Sequence, residues 1–170
     1  MTASDDLRVR EAVPTDSSAI VAIYNQGIRR RSATFETRER TNDDIQSWFG
    51  VPRYPLLVAE IDGEVLGWIH ASDYRPRECY AGIAEFSVYV TDSAQGRGIG
   101  SALMAAFLPA CEQAGLWKVL SRIFVENTGS RALCQRFGFR EVGIYEKHAQ
   151  LDGVWKDVVI VERLLPANLK

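Results

Sequence analysis

The sequence predicts a single domain of mixed α/β class, and three observations carry that expectation. Two Asp-Gly pairs sit between apolar runs, a glycine-rich run falls between a strand pattern and a helix pattern, and the apolar residues switch between a two-residue and a three-to-four-residue spacing along the chain. At 170 residues the chain is long enough to bury a substantial core without a metal or disulfides. Hydrophobic residues at 46% and charged residues at 25% are ordinary globular values, which excludes a disordered or fibrous class.

In order, Leu7 to Glu11 reads as a strand. Thr15 or Asp16 then caps a helix whose apolar side carries Ile20, Val21, Ile23, Tyr24 and Ile28. Asn42 to Phe49 suggests a short helix, closed by Pro52 and Pro55 before the strand Leu56 to Ile61. Asp62-Gly63 separates that strand from Val65 to Ala71 and predicts a two-residue hairpin turn. After a polar loop at Asp73 to Glu78, the run Ala84 to Val90 reads as a strand with Phe86, Val88 and Val90 on one face and Glu85 and Tyr89 on the other. Gly98 to Ala114 is helical, with Gly115 as its stop and Pro109 as a possible kink. Trp117 to Val125 is strand-like, and Thr128 to Phe137 is a helix ended by Gly138. Two apolar runs around Asp152-Gly153 close the chain as an antiparallel pair. The expected architecture is therefore a mixed, mostly antiparallel sheet of about seven strands flanked by about four helices, with one parallel strand-helix-strand unit at its centre.

Several function classes drop out on composition. A formal net charge of -2 with both signs dispersed gives no reason to expect a nucleic-acid partner. Cys79, Cys111 and Cys134 are an odd number at irregular spacings, unlike a disulfide framework or a zinc cluster, and fit a reducing cytoplasm. His70 and His148 form no ligand pattern with them, so no metal is expected. No apolar run approaches the roughly 20 residues that span a bilayer, and the start MTASDDLRVR lacks the apolar region of a signal peptide, so a soluble protein not exported by that route is expected.

The run YVTDSAQGRGIG places Gln95, Gly96, Arg97, Gly98, Ile99, Gly100 and then Ser101 at the start of a predicted helix. Glycines admit close approach of backbone to a ligand, and free N–H groups with the helix dipole favour a pyrophosphate, to which Arg97 adds charge. A plain glycine-rich turn is the competing reading. A Walker loop would end in Gly-Lys-Ser/Thr, whereas this run ends Gly-Ile-Gly-Ser. A Rossmann fingerprint belongs on the first strand of a parallel repeat, and here several strands and a hairpin come first.

Gln-x-x-Gly-x-Gly after an apolar strand resembles the acetyl-CoA pyrophosphate loop of the GNAT superfamily, and ENTGSRALCQRFGF resembles that family's Asn-containing segment before a helix ending in Gly-Phe. The similarity runs from about Leu7 to Leu165. It is nearest the branch of phosphinothricin, methionine sulfoximine and arsinothricin acetyltransferases, through YNQGIRRRSATFET, YRPRECYAGIAEFSVYV and LDGVWKDV. The resemblance implies acetyl-CoA as co-substrate, a small amino acid or glutamate mimic as acceptor, a role in resistance to such mimics, and a homodimer. It also implies that Asn127, with Ser130 after it, and the main chain of Val88, Tyr89 and Val90 meet the pantetheine arm.

Amide formation from a thioester needs a neutral amine, so a base must take a proton from the acceptor's ammonium. Glu85, a carboxylate on an otherwise apolar strand just ahead of those contacts, is the candidate and aligns with the branch's proposed base; a structural ion pair with an arginine is the alternative. A backbone N–H near Val88 or Tyr89, released by a bulge, is expected to meet the thioester carbonyl. Arg75 and Arg77, in the loop entering that strand, match basic positions of the branch and are candidates to grip the acceptor's anion, with Tyr80 beside them, against a plain solvated loop. Thr34 and Phe35 follow the first helix in the branch motif and would wall the acceptor pocket, against core packing for Phe35. Arg29 to Arg31 read as a solvated helix end, with one of them reaching the cleft as the alternative.

Two positions depart from the resembled pattern. The tyrosine that many of these enzymes use to protonate the departing thiolate is here Cys134, which reads as packing, and the branch's histidine before Gly-x-Trp is here Asp152, although the resemblance puts His148 of the late strand near the acceptor site. Two rival functions share the cofactor loop, acetylation of protein N-termini or lysines and a noncatalytic CoA-binding sensor; the first needs an open peptide groove, the second predicts binding without turnover.

Overall fold

The computed structural model describes residues 6–170; the polar start read at 1–5 lies outside the described residues. Strand β1 (Arg8–Glu11) leads to helix α1 (Ser17–Arg30), which buries Ile20, Val21, Ile23 and Ile28 as its spacing requires. Asp16 stands at the N-cap, yet its carboxylate makes no cap bond to the helix. It accepts instead from the Val13 N–H at 2.8 Å and from both terminal nitrogens of Arg10 at 2.8 and 2.9 Å. The charge-assisted fork outcompetes a neutral cap, and the guanidinium holds the Asp16 carboxyl below the usual range against the opposing effect of burial.

The short helix expected near Asn42 is a 3-10 segment at Asp43–Trp48. A stretch of that length between Asn42 and the two prolines suits the tighter helix, which is used in short pieces. Strands β2 (Leu56–Ile61) and β3 (Glu64–Asp73) form the predicted hairpin; Asp62 and Gly63 have φ of 51° and 79°, the signature of a type I′ turn. Strand β4 (Ile83–Val90) is followed by α2 (Ile99–Gln113), which runs on through Pro109 and stops at Gly115, φ 87°. Strand β5 (Lys118–Phe124) and helix α3 (Thr128–Arg136) precede the long hairpin β6 (Arg140–Leu151) and β7 (Val154–Leu164), turned at Asp152-Gly153.

All seven strands lie in one sheet of order β1-β2-β3-β4-β5-β7-β6, in which β4 and β5 are the parallel pair and the other neighbours are antiparallel. Three α-helices and the 3-10 segment stand where about four helices were expected. One face packs Ile69, Phe86, Ile123 and Val159 under Leu103, Met104 and Phe107 of α2 and Leu133 of α3. The other face packs Leu56, Val58, Trp68 and Tyr89 under Ile20 and Ile23 of α1. Alternate residues of β4 thus serve opposite layers, as its period predicted.

On the α1 face, Trp68 lies against Tyr24, Tyr89 and Trp48 at centroid distances of 5.4, 5.0 and 5.4 Å. His70, two residues on and so on the same face, stacks on Trp48 at 4.3 Å and is buried. Burial disfavours the imidazolium and lowers the His70 pKa from 6.5 to about 4. The unfolded chain therefore binds a proton at this site in a pH window where the folded chain does not. Stability is complete above the unfolded value and is lost as pH falls from 6.5 toward 4. Between pH 7 and pH 4.5, urea denaturation should show His70→Phe, which keeps a ring on Trp48, losing about 2 kcal/mol less than the parent; equal losses would remove His70 from the acid response.

Candidate active site

β4 and β5 are held together at one end and apart at the other. At the closed end the Gly82 carbonyl accepts from the Trp117 N–H at 2.8 Å, and Gly82 leaves room for the indole: a Cβ there would fall 1.9 Å from Trp117 Cε3. Parallel pairing then runs Ile83 with Lys118, Ala84 with Val119 and Glu85 with Leu120. Beyond Glu85, β5 stays in register with β7 as far as Phe124 while β4 stays with β3 as far as Val90. A side chain makes the next link, Ser121 Oγ donating to the Phe86 carbonyl at 3.0 Å, and past it lies a trench.

The pairing phase says which backbone groups face that trench. The Thr91 N–H donates to the Leu66 carbonyl, so in the antiparallel ladder Tyr89 and Ser87 bond to β3, and Val88 and Val90 turn their N–H and C=O toward β5. The β3–β4 register is continuous from Gly67–Val90 to Asp73–Ala84, without the bulge expected near Val88. Divergence of a parallel pair frees these groups, which needs no inserted residue. The oxyanion candidate narrows to the Val88 N–H, since Tyr89 is committed to β3.

On the α2/α3 side the trench opens into a cleft of about 410 Å³. Val88, Tyr89 and Val90 form one wall; Gln95, Gly96, Gly98, Ile99, Gly100 and Ser101 form the end; Asn127 and Ser130 form the other wall. Gly96 and Gly98 have φ of 77° and 78°, and a Cβ on either would meet nothing within 4 Å, so the floor is bare backbone. The first intrahelical bond of α2 runs from the Ala102 N–H to the Gly98 carbonyl, which leaves the N–H groups of Ile99, Gly100 and Ser101 ahead of it for a ligand. Gln95 fixes the loop by donating from Nε2 to the Val90 carbonyl at 2.9 Å, and Asn127 caps α3 by accepting from the Ser130 N–H at 3.3 Å. Arg97 is not among the cleft's lining residues. The cations on its walls are Arg30, paired with Asp92 at 2.9 Å, and Arg136, which donates to Ser101 Oγ at 3.1 Å; of the run Arg29 to Arg31 it is Arg30 that reaches the cleft, while Arg136 did not stand out because it sits inside an ordinary helix pattern.

A narrow passage of about 60 Å³ between Ser87, Val88, Ser121, Arg122 and Cys134 joins that cleft to a second cavity of about 360 Å³ on the α1 face. Glu85, Ser87 and Tyr89 of β4, Arg122 and Phe124 of β5, Thr34 and Phe35 after α1, and His148 of β6 surround this second cavity. Phe35 meets Phe124 edge to face at 4.8 Å, so it both packs and walls. Glu85 pairs with Arg122, Oε1 to Nη2 at 2.7 Å. Arg122 was missed in the sequence; two residues past the last β4–β5 pair, it becomes visible only once the parting of the strands is known.

Arg75, Arg77 and Tyr80 do not line this cavity. They lie in the loop before β4, with Arg75 and Arg77 exposed, the Arg75 guanidinium 5.1 Å from the Tyr74 ring centroid, and Tyr74 edge to face on Tyr80 at 5.6 Å. Cys134 lies at the passage, 2% exposed, and burial pushes its thiol up to about 12, which keeps it protonated at neutral pH. No group of three potential metal ligands occurs among the described residues, and no helix of theirs is long and apolar enough to cross a membrane. A larger cavity, about 790 Å³, lies between the segment 48–57 and the end of α2 and takes in no residue of β4 or β5.

Parted strands with a helix N-terminus at one end and a carboxylate at the other describe an acyltransferase that draws on a pyrophosphate-bearing thioester. Residues 22–139 match the model of the acetyltransferase (GNAT) family, and the chain belongs to that family. It is 33% identical to the phosphinothricin N-acetyltransferase of Streptomyces coelicolor, over 97% of this chain and 100% of that one. It is 33% identical to the L-methionine sulfoximine/L-methionine sulfone acetyltransferase of Pseudomonas paraeruginosa, over 91% and 92%. The crystal structure of a GNAT superfamily phosphinothricin acetyltransferase from Sinorhizobium meliloti in complex with acetyl-CoA superposes with a TM-score of 0.87 at 29% identity, over 94% of this chain and 88% of that one. The protein is an acetyl-CoA-dependent N-acetyltransferase, and the bare glycine floor fits its co-substrate.

Gly98→Val places a branched side chain at φ 78° on that floor. Left-handed backbone costs a non-glycine residue roughly 1–2 kcal/mol, so the variant should fold with reduced stability and bind CoA at least about tenfold more weakly by titration calorimetry. Unchanged affinity would move the phosphates off this turn.

Proposed function

We propose that the enzyme transfers the acetyl group to the α-amino group of a small acidic amino acid or glutamate mimic of the phosphinothricin, methionine sulfoximine or arsinothricin type. The observation that carries this reading is the second cavity: about 360 Å³, walled by Phe35 and Phe124, with the Glu85 carboxylate inside, it suits an amino acid better than the open groove a peptide needs. The names of relatives of near-equal length support the same acceptor class. Capping the amine of a toxic mimic removes the cation a glutamate-recognising target requires, so such turnover confers resistance.

When bound, acetyl-CoA supplies an activated acyl carbon. Gly96, Gly98 and the first N–H groups of α2 hold its pyrophosphate, with Arg97, Arg30 and Arg136 adding positive charge, while Val88, Val90, Asn127 and Ser130 hold the pantetheine arm along the parted edge of β4. Asn127 spends its side-chain oxygen on the α3 cap, so its amide NH2 is the group left for the arm. Thr34 and Phe35 position the acceptor. Glu85, directly or through one water, takes a proton from the ammonium, and the neutral nitrogen attacks. The Val88 N–H meets the oxygen charge that develops on the acetyl carbonyl. The N–C bond forms, the C–S bond breaks, and of the two protons leaving nitrogen one reaches solvent through Glu85 while the other ends on the CoA thiol. Arg75 and Arg77, in the exposed loop before β4 with Tyr80, attract the acidic end of the acceptor from outside the cavity.

The same reading places the protein in a reducing cytoplasm, consistent with three free thiols among the described residues. It also takes the protein as a homodimer. Ile144, Tyr145, Val154 and Trp155 on the edge hairpin are each at least 50% exposed, more apolar surface than a free edge usually shows, and a second copy covers it. Trp155→Glu should then halve the mass measured by light scattering; a monomeric parent rejects the dimer.

Thiol release with phosphinothricin, methionine sulfoximine, arsinothricin, methionine and short peptides tests the acceptor. Turnover should favour an acidic mimic, and Glu85→Gln should lower kcat by about 10²–10⁴. Peptide-only turnover would instead make this a protein acetyltransferase, and CoA binding with no turnover a sensor.

A further inference from the structure

The acceptor cavity holds an ion pair beside which an acceptor has to fit. Glu85 and Arg122 lie 2.7 Å apart on the same face of the sheet, one on β4 and one on β5 just past the point where the strands separate. Among the described residues lining this cavity, Arg122 is the sole arginine or lysine; the other titratable groups on its wall are Tyr24, Glu36, Tyr89 and His148. Glu36 pairs with Arg40 at 2.8 Å, so its charge is already matched. The pair engages Glu85 through Oε1, so its second carboxylate oxygen can still meet an ammonium.

We infer that Arg122 reads the acceptor's α-carboxylate, exchanging Glu85 for it as the ammonium engages Glu85. In an α-amino acid the nitrogen and the carboxylate carbon are about 2.5 Å apart, from standard bond lengths and the angle at Cα. That spacing lets the zwitterion bridge the two side chains with little movement of either. One ion pair is broken and two are made, and charge in the cavity stays balanced throughout. The bond to Glu85 uses one of five N–H donors on the guanidinium, and a carboxylate can take two in parallel, which favours the exchange. An amine without a free carboxylate gains no charged contact with Arg122, so it binds more weakly. Arg122 also borders the passage, so an acceptor anchored there points its nitrogen at the acyl carbon.

The inference rests on reading Glu85 as the proton acceptor and extends it to a rule for acceptors: the free α-carboxylate is required. The test compares the preferred amino acid with its methyl ester and its decarboxylated amine, in thiol release and in calorimetric titration of enzyme saturated with CoA. The parent should prefer the acid by about 10–100-fold in kcat/KM, the range of a hydrogen bond to a charged group. Arg122→Gln, which keeps a polar stem but no charge, should raise KM for the acid and bring the acid-to-ester ratio close to one, and Arg122→Lys should restore part of it. A parent that treats acid and ester alike, or an Arg122→Gln variant that loses both to the same factor, overturns the inference. Parent turnover lost in Glu85→Gln together with intact acid preference in Arg122→Gln would discard the Arg122 role and keep the Glu85 reading. Parent turnover on peptides alone would discard the acceptor class itself.

Discussion

The site depends on one constraint, that β4 and β5 pair in parallel for only three residues and then separate. A parallel pair that continued would consume the N–H groups of Val88 and Val90, close the passage to Cys134 and place Glu85 and Arg122 in a continuous sheet. Each strand keeps its outer partner, β3 for β4 and β7 for β5, so the opening costs hydrogen bonds on two inner edges only. Those groups line the cleft, and a ligand with its own carbonyl and amide groups is able to satisfy them. Gly82 against Trp117 keeps the opposite end shut, so the parting has a defined start.

Both compartments take their walls from this geometry. On one side α2 begins where β4 runs out, and its unpaired N–H groups point at the end of the trench. On the other, the segment after α1 crosses over Phe124 and is tied down at its base: Asn25 donates to the Arg40 carbonyl at 3.0 Å and accepts from the Arg40 N–H at 2.7 Å. A two-way bond from a buried asparagine fixes a loop that carries Thr34 and Phe35, so the acceptor wall is positioned by the helix and not by the acceptor.

Local signals wrote most of the fold openly. Both Asp-Gly turns, the alternation along β4 and the glycine stops after α2 and α3 are decided by φ preference and periodicity, which a single chain displays directly. The cofactor cleft was legible for the same reason, because a turn and the helix start after it are contiguous. The acceptor cavity was legible only in part. Glu85 stood out as a charge on an apolar strand and the family resemblance put His148 near the acceptor site, but Arg122 comes from β5 and nothing in its own neighbourhood says it shares the cavity. The opposite error arose with the bulge near Val88: free backbone groups were foreseen, but the cause was a non-local divergence that spacing cannot encode. The Asp16 cap failed on a similar ground, since Arg10 reaches it from the preceding strand.

Cys134 shows how the geometry bears on the departing thiolate. It stands at the passage between the two cavities, and burial pushes its thiol up to about 12. A free alkyl thiol loses its proton near 8.5, so moving a proton from Cys134 to the CoA sulfur would run uphill by about three to four units. The same burial that denies Cys134 a role as acid also denies it one as nucleophile, since the thiolate is the reactive form. What remains at that position is volume: a small apolar group that lets the passage stay open where a larger side chain would narrow it. The thiolate then needs no partner from the protein, because at its own pKa it leaves as an anion of ordinary stability and takes a proton from water. In the mechanism proposed above, the one proton transfer asked of the protein is therefore removal from the ammonium, on the acceptor's side of the passage.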